Sequence, residues 1–370
     1  MILTIIIAFL SLIVLISIHE LGHFLFAKKF GVEVEEFGIG YPPRIFGRKI
    51  GKTVYSLNIL PFGAFVKIRG EEGGIEDYRS FSGKPIWQRF LIVFGGVAAF
   101  WVVAAVLFTI VFLIGAEVPV PDDTGSTPVE ARVIITEITP GSPAGLAGLQ
   151  VGDTVLKASW QEDIVDIDKI ADFQSFVDSH KGQEVSLDIQ RGKEALKIGV
   201  VPRSDPPAGQ GPLGVGLQRM AKIIEKHVWY EAPVQGVIYC GKVTGQALKG
   251  FAKIIGDLFG GKGMPAEAVP AGPVGITVFL ARAFDFGAGF FLYFIGAIAV
   301  LVAISNLFPI PALDGGKLLF LLIEKVRNKP VSVKIEQGIT ATFYVLLIIL
   351  LVFVTIKFDI PRLFDFIKSG

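Results

Sequence analysis

"SIHELGHFLFAKKF", residues 17–30, closes an apolar run that starts at Met1 and holds no charged residue before Glu20. Phe24, Leu25 and Phe26 carry the apolar character past two histidines and a glutamate. Residues 2–27 therefore have the length, about 20 apolar residues, that crosses a bilayer as one helix. Neither a basic leading region nor a small-residue cleavage site marks a removable signal, so the segment reads as a retained span. At about 1.5 Å per residue the histidines lie roughly 27–33 Å from Met1, near one boundary of the hydrocarbon.

Residues four apart on an α-helix share a face, one turn from each other. His19 and His23 can thus aim two imidazoles at one ion, while Glu20 sits off that line within reach of a water beside it. This is the H-E-x-x-H arrangement in which two histidines bind Zn2+ and the glutamate serves as general base. The competing reading is a helix end emerging into water, where polar side chains carry no cost. The apolar residues beyond His23 weigh against it, as does the functional character of ionisable groups at membrane depth.

The rest of the chain agrees with a membrane setting. Of its 370 residues 52% are hydrophobic, and the mean hydropathy is +0.60. The formal net charge of +1 gives no reason to expect a nucleic-acid partner. The one cysteine, Cys240, excludes an intramolecular disulfide and reads as packing. Apolar stretches at 90–115, 286–308 and 339–356 bring the expected spans to four. Lysines and arginines crowd the connections between the first two spans and between the last two. The positive-inside rule puts both connections on the cytoplasmic side and the segment from 117 to 285, with both termini, on the other. Within the first connection, "VEVEEFGIG" and "TVYSLNILPFGAFVKIRG" are strand-like and are split by "YPPR" and "GRKIGK". They predict membrane-associated β-hairpins over 31–70. Strand edges at membrane depth are tolerated where protein covers them or a partner uses them.

A catalytic zinc site takes three protein ligands and an open position. His180 and His227 fall in the segment assigned to the opposite side and cannot supply the third. Asp314 can, because "NLFPIPALDGG" (306–316) ends the third span as it returns to the face that holds the histidines. Pro309 and Pro311 interrupt the helix, and Gly315 and Gly316 let the backbone pass close to another element. A broken helix delivering one carboxylate at membrane depth fits a ligand.

After the linker "PDDTGSTP" (121–128), residues 129–202 have a water-soluble composition. "ARVIITEITPGSPAGLAGLQVGDTVLKAS" alternates strands with a Gly/Pro loop and a short helix, "DKIADFQSFVDSH" reads as a helix, and "QEVSLDIQRGKEALKIGVVP" as a hairpin. The module resembles a PDZ domain, a fold that takes up extended peptides by strand addition; the other reading is a spacer with a blocked groove. Between 229 and 285, apolar residues recur from Cys240 to Leu258 at helical spacing, with Trp229 and Tyr230 at the head. That pattern predicts an amphipathic helix along the membrane surface, or else one packed on the soluble module.

Taken together, "HELGH", "PFGAFVKIRGE", one PDZ-like module, "AGPVGI" (271–276) and "NLFPIPALDGG" resemble the site-2 protease family of intramembrane zinc metalloproteases, in its bacterial regulator-of-sigma-E type. The resemblance implies an α-helical polytopic membrane protein of the bacterial inner membrane. Its zinc would be held by His19, His23 and Asp314, with Glu20 activating water and Asn306 holding substrate or oxyanion. It further implies that Gly63, Ala64 and Phe65 belong to a strand edge offered to an unwound substrate helix. The implied substrates are single-span membrane proteins already trimmed by another protease, such as anti-sigma factors or signal-peptide remnants, with a trimmed end or peptide meeting the PDZ domain. Two positions depart from the family pattern, where asparagines are common: Phe100 in the second span and Leu301 before Asn306. A catalytically inactive scaffold of the same fold and a zinc transporter are the competing functions; neither needs Glu20 in the general-base register.

Overall fold

The computed structural model describes residues 2–71, 73, 77–115, 117–120, 122, 131–192, 194–207, 210–222, 227–260, 270–285 and 287–369. Most of the linker read at 121–128 lies outside them. Among the described residues four helices are long and apolar enough to cross a membrane: Leu3–Lys29, Ile86–Ile114, Ala288–Leu307 and Val333–Lys368. The fourth outruns the expected 339–356 because its polar ends also stay helical. It is built from α9 (Val333–Val354), a π-helical turn (Thr355–Asp359) and α10 (Ile360–Ser369).

One compact unit holds the helices α1 (Ile2–Lys29) and most of α2 (Ile86–Ile114), with the strands β1 (Val34–Ile50) and β2 (Thr53–Ile68) between them. Small residues bring α1 and α2 together. A Cβ on Gly22 would strike the Gly95 carbonyl, and one on Gly95 would strike the Phe26 ring. Such residues let membrane helices approach backbone to backbone, where packing and not the hydrophobic effect must hold them. Below the contact, Ala27, Val32, Val34, Ile68, Ile92 and Val93 form a buried core that joins the end of α1, the strands and α2.

The strands differ from the expected separate hairpins. "GRKIGK" is the hairpin turn, with Ile50 opposite Thr53, but "YPPR" is a bend inside β1. β2 bends in turn around Gly63, whose φ of +113° favours glycine. Residues 53–58 consequently pair with 44–50 on one side and with 36–39 on the other, while 64–68 pair with 34–39. The four segments run in the order 44–50, 53–58, 36–39, 64–68. Among the described residues no further strand pairs with the far side of 64–68.

The same unit contains α5 (Ala232–Phe259), α6 (Pro273–Asp285, its last residue excepted), most of α7 (Ala288–Leu307), α8 (Asp314–Arg327) and α9 with its extension. The packed face of α5 meets α2: Gly236 lies against Thr109, Tyr239 rings against Phe108 at 5.1 Å, and the Cys240 thiol points to the Trp101 carbonyl. Phe251 continues that face onto Phe308, 5.2 Å between rings. Sequence periodicity marked the apolar stripe but assigned it to the membrane surface or to the soluble module, and its contacts here are with α2. Trp229 and Tyr230 are exposed just before α5. At the far end of the fourth span, the fully buried Asp359 accepts from the Gly272 N–H (3.1 Å) and pairs with Arg362 (3.5 Å).

The second unit is a sheet in the order β3 (Glu117–Pro119), β9 (Val215–Lys222), β4 (Arg132–Ile138), β5 (Thr154–Trp160), β7 (Val185–Arg191), β8 (Glu194–Val200), with β6 (Asp163–Asp166) paired to β5. The helices are α3 (Pro143–Leu146) and α4 (Ile170–Ser179). Its core gathers the inward residues of alternating strands, Val133, Ile135, Val155, Leu187 and Ile189, under Phe173 and Phe176 of α4. Every strand and helix read from 129–202 is present. The sheet nevertheless takes in β3 and β9 from outside that range, because β4 finds a distant partner, Arg132 pairing with Met220 and Ile138 with Val215. Asp122 caps α4, its carboxylate accepting from the N–H groups of Ile170 (3.2 Å) and Ala171 (2.9 Å).

Candidate metal centre

His19 and His23 lie on one face of α1 and are each 8% exposed. Their Nε2 atoms are 3.3 Å apart. Oδ2 of Asp314 stands 3.4 Å from Nε2 of His19 and 3.3 Å from Nε2 of His23. The three donors form a nearly equilateral triangle. Ligands bound to zinc at about 2.0–2.1 Å in tetrahedral directions stand about 3.3–3.4 Å from one another, so the triangle is one face of that tetrahedron. Among the described residues these three are the group of histidine, cysteine and acidic side chains that could share an ion. Asp314 Oδ2 is buried and makes no hydrogen bond, which leaves it available to a cation.

The surroundings orient each ring. Nδ1 of His23 donates to the Ile92 carbonyl at 2.9 Å. A proton held on Nδ1 leaves the lone pair on Nε2, which is how the groups behind a metal site select its tautomer. Gly96 makes room for this ring, since a Cβ there would collide with the imidazole. His19 is held differently: Phe100 stacks on it at 4.6 Å with planes 13° apart. Phe100 thus packs flat against a donor ring and offers it no hydrogen bond. Leu301 is 42% exposed and takes no part.

Asp314 reaches the centre by the folding of 307–316. Ile310 N–H donates to the Phe308 carbonyl and Leu313 N–H to that of Ile310, turning the chain sharply after α7. The new helix α8 starts at Asp314 and returns against its own approach: a Cβ on Gly315 would strike the backbone of Leu307 and Phe308, and one on Gly316 that of Ile310 and Pro311. The two glycines are needed for that close approach.

Glu20 lies within electrostatic range of His23, Asp314, Lys317 and Glu71. Lys317 was not singled out by the sequence, although it stands one turn beyond Asp314 on α8. It forms an ion pair with Glu71, just past β2. Burial works against its charge, but Glu71, Asp314 and Glu20 outweigh that and hold its ammonium above the usual lysine range. Farther along α8, Glu324 takes both terminal nitrogens of Arg89 at the start of α2, a fork 3.0 Å long on the Nη1 side. Two ion pairs therefore clamp the helix that carries the third donor. The signal available in the sequence was the spacing Asp314, Lys317, Glu324, which marks one polar stripe on α8.

The other expected site residues are held by their own neighbours. Gly63 faces Ile16 and Tyr41, about one turn before Glu20 on α1. Ala64 is buried opposite Ile39, and Phe65 stacks on Tyr41 at 6.0 Å. The Asn306 amide donates to the Val302 carbonyl of its own helix at 3.0 Å. His180 and His227 stay with the second unit: Nδ1 of His180 donates to the Phe176 carbonyl at 2.8 Å, and His227 rings against Phe112 at 5.5 Å.

The chain is similar to several known proteins over nearly its whole length. A Clostridium perfringens protein provisionally named a zinc metalloprotease is 34% identical over 353 residues, covering 95% of this chain and 97% of that one. Protease RseP of Yersinia pestis is 27% identical, covering 91% and 94%. Zinc metalloprotease RasP of Geobacillus kaustophilus is 26% identical, covering 95% and 96%. The sequence profile of peptidase family M50 matches residues 7–350. The chain belongs to peptidase family M50, the site-2 protease family.

Proposed function

We propose that this chain cleaves single-span membrane proteins within or near their transmembrane segment after another protease has trimmed them. The chain is a zinc metalloprotease of a membrane-embedded family. The observation that carries the reading is the triangle of His19, His23 and Asp314 with Glu20 on the next position of the helix. His19, His23 and Asp314 would hold zinc, which would supply Lewis-acid chemistry toward the scissile carbonyl and toward an attacking water. Glu20 accepts the proton of that water as its oxygen attacks the carbonyl carbon. The same carboxyl then delivers the proton to the nitrogen as the C–N bond breaks.

A transmembrane helix keeps its peptide bonds inside its own hydrogen-bond ladder and must unwind before attack. The unpaired side of 64–68 offers replacement bonds by strand addition, and Gly63 lets that strand bend beside α1. Asn306 holds the substrate or the developing oxyanion, for which its amide must release the Val302 carbonyl. The second unit acts as a PDZ-type module that excludes membrane proteins with bulky outer domains. Its insertion between the second and third spans supports that role. The membrane is a bacterial inner membrane, with the site near the cytoplasmic face and the module opposite; the basic connections support this orientation.

The test joins metal analysis to cleavage of a single-span substrate by the purified chain. One zinc per chain, and loss of cleavage on chelation with recovery on zinc addition, are expected. Metal-free active protein would end the reading. Zinc transport into vesicles without cleavage would favour a transporter, and zinc binding with neither activity a scaffold.

A further inference from the structure

A cavity of about 850 Å3 lies between the start of α2 and one side of α8, lined by Trp87, Phe90, Pro309, Leu318, Leu322 and Lys325 among others. That size suits a ligand or a hydrocarbon chain. Its lining includes none of His19, Glu20, His23, Asp314 and Lys317, so the metal centre does not account for it. Trp87, Phe90 and Leu322 are 57%, 42% and 57% exposed, and among the described residues no element covers them.

The contacts around the slot show which end is which. Phe30, just past α1, rings against Trp87 at 5.4 Å, and Arg89 pairs with Glu324. The end of α1, the first turn of α2 and the end of α8 therefore stand level, at the boundary where the apolar run of α2 begins. From Gly315 to Lys325 the wall is about 15 Å long at 1.5 Å per residue. The end at Pro309, Gly315 and Leu318 is lined by apolar side chains and a glycine. The open end carries a tryptophan, the side chain most at home at a membrane interface, and a lysine. Lys325 is exposed and has no acidic partner among the described residues. Arg327 and Lys329 follow it without an acidic residue between them.

From this geometry we propose that the slot binds an anionic phospholipid, one acyl chain lying along Leu318 and Leu322 and the headgroup phosphate meeting Lys325 at the mouth. An apolar trough ending in uncompensated cations at the hydrocarbon boundary matches the two parts of such a molecule, and basic pockets between membrane helices hold anionic headgroups for the same reason. A zwitterionic lipid would fill the trough equally well but would gain nothing from Lys325. The bound chain would brace α8, the helix that presents Asp314.

The full chain, reconstituted in bilayers, tests this by fluorescence quenching with lipids brominated on their acyl chains. Subtracting the signal of Trp87→Phe isolates Trp87 from the other three tryptophans. Half-quenching is expected to need about fivefold less brominated phosphatidylglycerol than brominated phosphatidylcholine, the weight of about one cation at an anionic surface. Lys325→Glu, at an exposed position away from the metal centre, should bring the two curves together, and Lys325→Gln should do so in part. Coincident curves in the unaltered chain would mean ordinary annular lipid and overturn the proposal. A preference unchanged by Lys325→Glu would overturn it too. Relief of quenching by a transmembrane substrate peptide would give the slot to substrate instead.

Discussion

His19 and His23 share a helix, but their ability to bind one ion rests on atoms of α2. The Ile92 carbonyl fixes one ring and Phe100 the other. Gly96 leaves the space. Gly96→Ala should therefore lower zinc affinity about 10- to 100-fold, the usual cost of disturbing the groups behind a metal ligand. Alanine is the better helix former, so α2 itself would not suffer. Equilibrium dialysis against buffered zinc measures the loss. Gly245→Ala on α5, where a Cβ meets nothing, should bind zinc as the unaltered chain does. Glu20→Gln should keep full zinc content and lose cleavage by about 10²–10⁴-fold, the range of general acid–base catalysis. Full activity in that variant would remove Glu20 from the base role.

Among the elements, α8 has the most demanding position: it must follow a sharp reversal, pack glycines on its own incoming chain and present Asp314 at a fixed depth. Its clamps are Lys317 with Glu71 and Arg89 with Glu324. The second pair is nearly buried, the side chains 12% and 16% exposed, and removing one partner of such a pair strands the other charge. Arg89→Met should destabilise the protein by about 3 kcal/mol. The double variant Arg89→Met with Glu324→Leu should regain most of that loss, because no charge is then left unpaired. Thermal unfolding in detergent compares the three proteins. Equal loss in the single and double variants would show that the pair acts by specific bonding and not by mutual neutralisation.

Across the full chain, the sheet of the second unit changes how its role must be tested. Removing 129–202 would leave β3 and β9 without the rest of their sheet, since β9 pairs with β4. Excision of 117–222 with a short polar linker removes every strand of that sheet. If the module filters by size, this variant should cleave an untrimmed single-span substrate that the intact chain refuses, as read by gel shift of a tagged substrate in membranes. Unchanged refusal would defeat the filter.

The four spans, the helix–hairpin alternation of 129–202 and the H-E-x-x-H pair were legible from the residues alone. Each rests on a periodicity or a length that neighbouring residues impose on one another: hydrocarbon thickness, two residues per strand repeat, one helical turn between ligands. Asp314 was inferred from proline and glycine punctuation, but its approach to within 3.4 Å of both rings is a matter of packing. So are the fourfold course of the hairpin strands, the recruitment of β9 by β4, the seat of α5 on α2 and the stacking of Phe100 on His19. These depend on which surfaces meet, a choice made between segments far apart in the chain, where local spacing carries no information.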